Sequence, residues 1–229
     1  LDPKHAKVHY NLGVALYGKG QVDEAIACYK KAIALDPKDA NAHYNLGLEL
    51  KDKGQVDEAI ACFKKVIELD PKYASARTQL ALAERLAAAR DKLAAFQNGS
   101  YTPASTAERL GLAEWCLIKK LHHTATGLYA AAFAADPKLA NNVGAGHRYN
   151  AACHAALAAA GQGEDAAKLD DRERTRLRQQ ARDWLRADLT LRTKQLESDE
   201  PANRAEVQQK LRHWQKDPDL AGLRDAAAL

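Results

Sequence analysis

One 34-residue unit occurs twice in this chain, at residues 6–39 and 40–73, and the two copies align without a gap. The run Gly20-Gln21-Val22-Asp23-Glu24-Ala25-Ile26-Ala27-Cys28 returns unchanged as Gly54-Gln55-Val56-Asp57-Glu58-Ala59-Ile60-Ala61-Cys62. Bias toward helix-forming residues does not produce such identity; a repeated structural unit does. Within the unit, Leu12, Leu16, Ile26, Tyr29 and Ile33 fall at three- and four-residue spacings, which gives each helix one apolar face. Gly20 and Gly54 stand where a helix C-terminal cap is expected, just past Lys19 and Lys53. Asp23-Glu24 and Asp57-Glu58 then fill the first turn of a second helix, where acids complement the helix dipole. Pro37 and Pro71 close that helix. Gly13 and Ala25 are small enough to let the two helices approach closely. One such pair cannot bury its apolar face alone, so neighbouring pairs must stack.

These residues resemble the tetratricopeptide repeat (TPR), whose pattern runs Trp, Leu-Gly and Tyr, then Ala and Phe, then Pro. The first unit supplies His9, Leu12, Gly13, Leu16, Ala25, Tyr29, Ala32 and Pro37. The second supplies His43, Leu46, Gly47, Leu50, Ala59, Phe63, Val66 and Pro71. His replaces Trp, Leu replaces Tyr, and Val66 replaces a small residue, all changes that packing can absorb. The resemblance implies an all-α fold, a right-handed helical solenoid of helix pairs, with the first helix of each pair lining a concave groove. It also implies a protein or peptide partner in that groove. By the same resemblance the groove residues are Lys7, Tyr10, Asn11, Val14 and Tyr17 in one unit, and Asn41, Tyr44, Asn45, Leu48 and Lys51 in the next. Asn11 and Asn45 also occur in the carboxylate clamp of chaperone-binding repeats. Tyr10, Val14 and Ser75, however, occupy three positions where that clamp needs lysines and an arginine.

Leu1-Asp2-Pro3-Lys4 repeats the ending of both units, so residues 1–5 are expected to be the tail of a truncated upstream repeat in a longer array. No methionine occurs, which reads as a fragment excised from a larger product. Alanine and leucine dominate the apolar residues and aromatics reach only 6%, a composition that favours helix over strand. A net charge of +4 makes no strong case for nucleic acid or membrane, and no stretch approaches the roughly 18 apolar residues that cross a bilayer. Cys28, Cys62, Cys116 and Cys153 form no CxxC pair, so they are expected to be buried thiols in a reducing, cytoplasmic setting rather than disulfides or metal ligands.

After residue 73 the pattern decays. Residues 74–97 read as one long helix and residues 98–105 as a linker marked by Gln97-Asn98-Gly99-Ser100 and Thr102-Pro103. Residues 106–139 are expected to form a degenerate repeat, with Leu112-Ala113 in the Leu-Gly place, then Ala125, Tyr129, Ala132 and Asp136-Pro137-Lys138. Residues 140–200 read as a degenerate helix pair whose second helix is delayed by an insertion near residues 164–171 and opened by Asp170 with Glu173 at capping-box spacing. Residues 201–229 are expected to be capping helices. From residue 104 onward the chain also resembles the C-terminal helical region of large planctomycete proteins, many of which carry a serine/threonine kinase domain upstream. The matching stretches are Gly146-His147-Arg148-Tyr149-Asn150, Trp184-Leu185-Arg186-Ala187-Asp188-Leu189 and Leu211-Arg212-His213-Trp214. That resemblance implies, as an alternative, a regulatory or structural segment of such a kinase.

The remaining clusters carry little chemistry. His122-His123, His147, His154 and His213 invite a metal reading, but no carboxylate accompanies His147 and His154 at the matching turn, so neither metal nor cofactor is expected. From Arg172 to Lys194 there are seven arginines and one lysine against three acids. With Trp184 among them this could be an RNA-binding face; the plainer reading is a solvated helix with charge pairs from Arg182 and Arg186 to Asp183 and Asp188. Composition and motifs together predict a non-catalytic scaffold, since no nucleophile–base pair or phosphate loop is present.

Overall fold

The computed structural model describes residues 3–196 and 201–224. The expected upstream tail and the expected capping helices therefore fall partly outside the described residues. Every regular element within them is helical. In order they are α1 (Pro3–Gly18), α2 (Val22–Leu35), α3 (Ala40–Asp52), α4 (Val56–Leu69), α5 (Ala74–Gln97), α6 (Thr106–Ile118) and α7 (His122–Ala135). Then follow α8 (Pro137–Asn141), α9 (His147–Ala159), α10 (Asp171–Leu196), α11 (Pro201–Lys216), a single 3-10 turn (Pro218–Leu220) and α12 (Ala221–Arg224). The chain divides into two compact units, Leu1–Ala94 and Ala95–Leu229, the division falling in the last turn of α5.

In the first unit, α1 pairs with α2 and α3 with α4, and α3 packs back on α2. Each first helix ends the same way. Gly20 and Gly54 adopt φ of +76°, and the amides of Gln21 and Gln55 reach back to the carbonyls of Leu16 and Leu50 at 3.0 and 2.8 Å. This closes the helix with the left-handed cap that glycine makes cheap. The second helices end in an Asx turn: the Asp36 and Asp70 carboxylates accept from the amides of Lys38 and Lys72 at 3.1 and 2.9 Å. Asp39 then caps α3 by accepting from the amides of Asn41 and Ala42. Ala25, Tyr29, Leu46, Leu50, Ala59, Phe63 and Ala83 form the core, with Ala25 and Ala59 fully buried.

One residue of the expected apolar face lies elsewhere. Leu46 is 6% exposed, because α2 lies across its side of α3, whereas its counterpart Leu12 is 47% exposed. Among the described residues no helix covers that side of α1. The long helix α5 buries Ala76, Ala83, Leu86 and Ala89, and its Arg90 guanidinium holds the Asp57 carboxylate of α4 at 2.7 Å.

The second unit repeats the helix pair twice with changes. α6 packs on α7 and α9 on α10, and α7 packs on α9. At the end of α6 the left-handed position is taken by Lys120 (φ 54°), yet the same backbone bond forms, Leu121 N–H to Cys116 O at 2.8 Å. The insertion before α10 has a structural use. Asp165 accepts from the amides of His123 and Thr124 at 3.2 and 2.8 Å, capping α7, whose own Leu121 cannot. Gly163 lies so close to that turn that a Cβ there would meet the Lys120 carbonyl oxygen at 2.2 Å. The Glu173 amide donates to Asp170 at 2.7 Å as capping-box spacing suggests, but the Glu173 carboxylate turns to Arg176 and His123. Those two partners hold its pKa down to about 2.

Candidate protein-binding face

The groove residues selected by sequence sit on α1 and α3, and part of the set is tied together. Asn45 donates its amide to the Tyr10 hydroxyl at 3.2 Å, bridging the two helices. The Tyr44 ring lies 5.0 Å from the Tyr73 ring, and the Tyr73 hydroxyl donates to Asn41 at 3.3 Å. Beneath this ladder the rings meet the core: Tyr10 lies 6.1 Å from Tyr29, and Tyr44 is edge-on to Phe63 at 5.9 Å. Tyr10, Tyr44, Asn45 and Leu48 are accordingly half-buried, with one side packed and the other exposed. Lys51 is half-buried beside Asp52 at 3.1 Å. Lys7, Asn11, Val14, Tyr17 and Asn41 are exposed. Val14 and Tyr17 are two of the larger apolar side chains left to solvent, at 42% and 53%.

Tyr73 belongs to this ladder and was not among the groove residues chosen by position. It occupies the place that Asp39 holds in the preceding unit, where the repeat supplies a helix cap rather than an aromatic ring. An aromatic replacing a capping aspartate was the available signal. Beneath the face, burial raises the Tyr29 hydroxyl to about 12, with Glu49 adding to the effect. That phenol is a neutral packing element at any ordinary pH.

Other candidate clusters are employed differently. His154 pairs with His122, not with His147: their Nδ1 atoms lie 3.1 Å apart in the interior of the second unit. Among the described residues no group of three or more His, Cys, Asp or Glu is arranged to hold a metal ion. The arginines of α10 are largely engaged. Arg174 donates to the carbonyl of Leu169, Arg176 to Glu173, and Arg178 to Thr175. Asp188 pairs with Arg192 at 2.8 Å, fully buried, rather than with Arg186, which lies near Asp183. Trp184 is half-buried, edge-on to Phe133 at 5.8 Å, so it is part of the core rather than a base-stacking platform. All four cysteines are free; Cys116 and Cys153 are buried, whereas Cys28 and Cys62 are half-buried. Burial raises the thiols of Cys62, Cys116 and Cys153 to about 11, 12 and 12. No described helix is long and apolar enough to cross a membrane.

Comparison with known families fits this geometry. The TPR repeat model matches residues 15–48, and the tetratricopeptide repeat model matches residues 40–73. Residues 15–73 carry tetratricopeptide repeats. The second TPR match covers the same residues as the second copy of the sequence unit. Residues 104–229 lie outside both TPR matches, and neither match supports the expected likeness of that region to a kinase-associated tail.

Among solved structures, a crystal structure of MamA is 22% identical with a TM-score of 0.37, covering 86% of this chain and 97% of that one. A MamA structure from Desulfovibrio magneticus RS-1 is 18% identical with a TM-score of 0.38, covering 80% and 96%. YrrB, described as a TPR protein with an unusual peptide-binding site, is 20% identical with a TM-score of 0.35, covering 77% and 84%. No curated protein matches the chain.

Proposed function

We propose that the first unit is a non-catalytic docking module that takes a peptide or protein segment along the face formed by α1, α3 and the Tyr73 turn that precedes α5. The observation that carries this reading is the ladder Tyr10–Asn45 and Tyr44–Tyr73–Asn41, half-buried except at exposed Asn41 and continuous with exposed Val14 and Tyr17. Tyrosine offers apolar area with a polar tip at low entropic cost, and such residues anchor protein interfaces. Holding the rings against Tyr29 and Phe63 before a partner arrives lowers the cost of ordering them on binding. Lys7 and Lys51 flank the apolar strip and would favour a partner carrying acidic residues at its margins. Four free thiols support placing the protein in a reducing compartment such as the cytoplasm.

The test is comparative capture. Wild-type protein and the exposed-site variant Val14→Asp, Tyr17→Ala are each used as bait, and retained proteins are quantified by mass spectrometry. A partner retained by the wild type and lost from the variant is the expected result. Identical retained sets would place the docking surface elsewhere.

A further inference from the structure

The last helices of the second unit frame an apolar groove that the unit itself leaves unfilled. It has a volume of about 510 Å³ and lies between α10, α11 and α12. α10 contributes Leu185 and Leu189, α11 contributes Leu211 and Trp214, and the turns that follow contribute Leu220 and Leu223. Leu220 is buried, but Leu189 is 43% exposed and Gln215 is exposed, so the groove is open to solvent. The stripe of α10 through Leu177, Ala181, Trp184 and Asp188 is spent on packing within the unit. Arg182, Leu185, Arg186 and Leu189 form a neighbouring stripe, again at three- and four-residue spacings, and all four line the groove.

The charge of this stripe is not balanced from within. Asp188 is committed to Arg192, and Asp183 accepts from Gln179 and lies 3.6 Å from Arg186. Arg182 is half-buried and has no ion pair or hydrogen bond among the described residues. Among the described residues no carboxylate lines the groove either. A half-buried guanidinium beside apolar surface, without an acid, favours an anion supplied from outside. A second copy of this chain does not supply one. A two-fold interface sets the same patch against itself, which here brings arginines toward arginines.

We propose that this groove receives an amphipathic helix of a partner protein, one whose apolar stripe is flanked by acidic residues a turn apart. Its apolar side chains would lie on Leu185, Leu189 and Leu211, and its carboxylates would meet Arg182 and Arg186. Those two arginines are separated by one turn of α10, about 6 Å along its axis, and acids four residues apart on a second helix have the same spacing. A fatty carboxylate matches the apolar floor but brings one charged head to two arginines. The open side of the groove, at Leu189 and Gln215, leaves room for the partner's backbone and its polar face. This site lies in the second unit, apart from the face of the first unit, and either reading can fail without the other.

The test uses the full chain and fluorescein-labelled synthetic peptides of about 18 residues, long enough to hold a helix. One carries a leucine stripe flanked by glutamates; in the second, lysines replace the glutamates, and in the third, alanines replace the leucines. Fluorescence anisotropy should show saturable binding of the leucine–glutamate peptide, tighter than either of the others by about tenfold or more. Leu189→Asp, at an exposed position, should weaken it by about tenfold. Arg182→Glu, Arg186→Glu, its fold checked by circular dichroism, should lose the glutamate peptide and gain the lysine peptide. Val14→Asp, Tyr17→Ala, which changes only the first unit, should bind as the wild type does. No saturable binding, equal binding of the two charged peptides, or undiminished binding by folded Leu189→Asp overturns the proposal. Loss of binding in the first-unit variant, or displacement of the peptide by an equal concentration of dodecanoate, overturns it as well.

Discussion

A Cβ added to Gly47 would lie 2.7 Å from Cε1 of Phe63, so the ring occupies the space that any larger residue would need. Gly13 stands in the same relation to Tyr29, again at 2.7 Å. The glycine of the Leu-Gly pair and the aromatic of the second helix are thus one packing device, which lets α3 approach α4 and α1 approach α2. Gly47→Ala should destabilise the protein by about 1–3 kcal/mol, because the fully buried Phe63 has little room to move. Gly18→Ala, where nothing lies within 4 Å, is the control and should be neutral or stabilising by up to about 1 kcal/mol. Urea midpoints of the two variants check this; equal midpoints would contradict it.

Lys120 carries the strain that glycine relieves at the other helix ends. Its φ of 54° is one that a side chain adopts only at a cost, whereas Gly20 and Gly54 take the corresponding place freely. Lys120→Gly is expected to stabilise the protein by about 1 kcal/mol, read as a rise in denaturant midpoint. A fall would mean that the lysine side chain contributes more than its backbone costs.

The repeat-bearing part of the fold was legible because its determinants are local. Gly20, Pro37 and the Gly13–Tyr29 contact lie within one 34-residue unit and recur in the next as Gly54, Pro71 and the Gly47–Phe63 contact. What escaped depends on distant partners. His122 meets His154 across 32 residues, Asp165 caps α7 from the insertion, and Asp217 reaches back 68 residues to Tyr149. No periodicity links such pairs. The exposure of Leu12 also follows from its neighbours rather than from its own helix, since the same position in α3 is covered by α2. On the candidate face, position selected Tyr10, Tyr44 and Asn45 but missed Tyr73, which breaks the repeat pattern instead of following it.

The buried histidine pair makes stability depend on pH. Burial lowers the pKa of His122, and it lowers that of His154 to about 3, against about 6.5 in an unfolded chain. Between these values the unfolded state binds more protons, so stability is full above about pH 7 and declines as pH falls. His154 alone contributes a slope of up to about 1.4 kcal/mol per pH unit. Urea midpoints from pH 7.5 to 4.5 should fall more steeply for the wild type than for His154→Gln. Parallel profiles would show that the pair is not neutral in the folded state.

The central claim is that the face of α1, α3 and Tyr73, anchored by Tyr10 and Tyr44, holds a protein partner. Its most direct test is calorimetric titration of the purified partner identified by capture into the wild type and into Tyr10→Ala, Tyr44→Ala. Both rings pack on the core, so circular dichroism and a thermal melt accompany the titration, with the exposed pair Val14→Asp, Tyr17→Ala as a second variant free of that packing. Both variants should keep their helical spectrum and lose at least tenfold in affinity, about 1.4 kcal/mol. Wild-type affinity in the folded variants would contradict the account and return these tyrosines to a purely structural role.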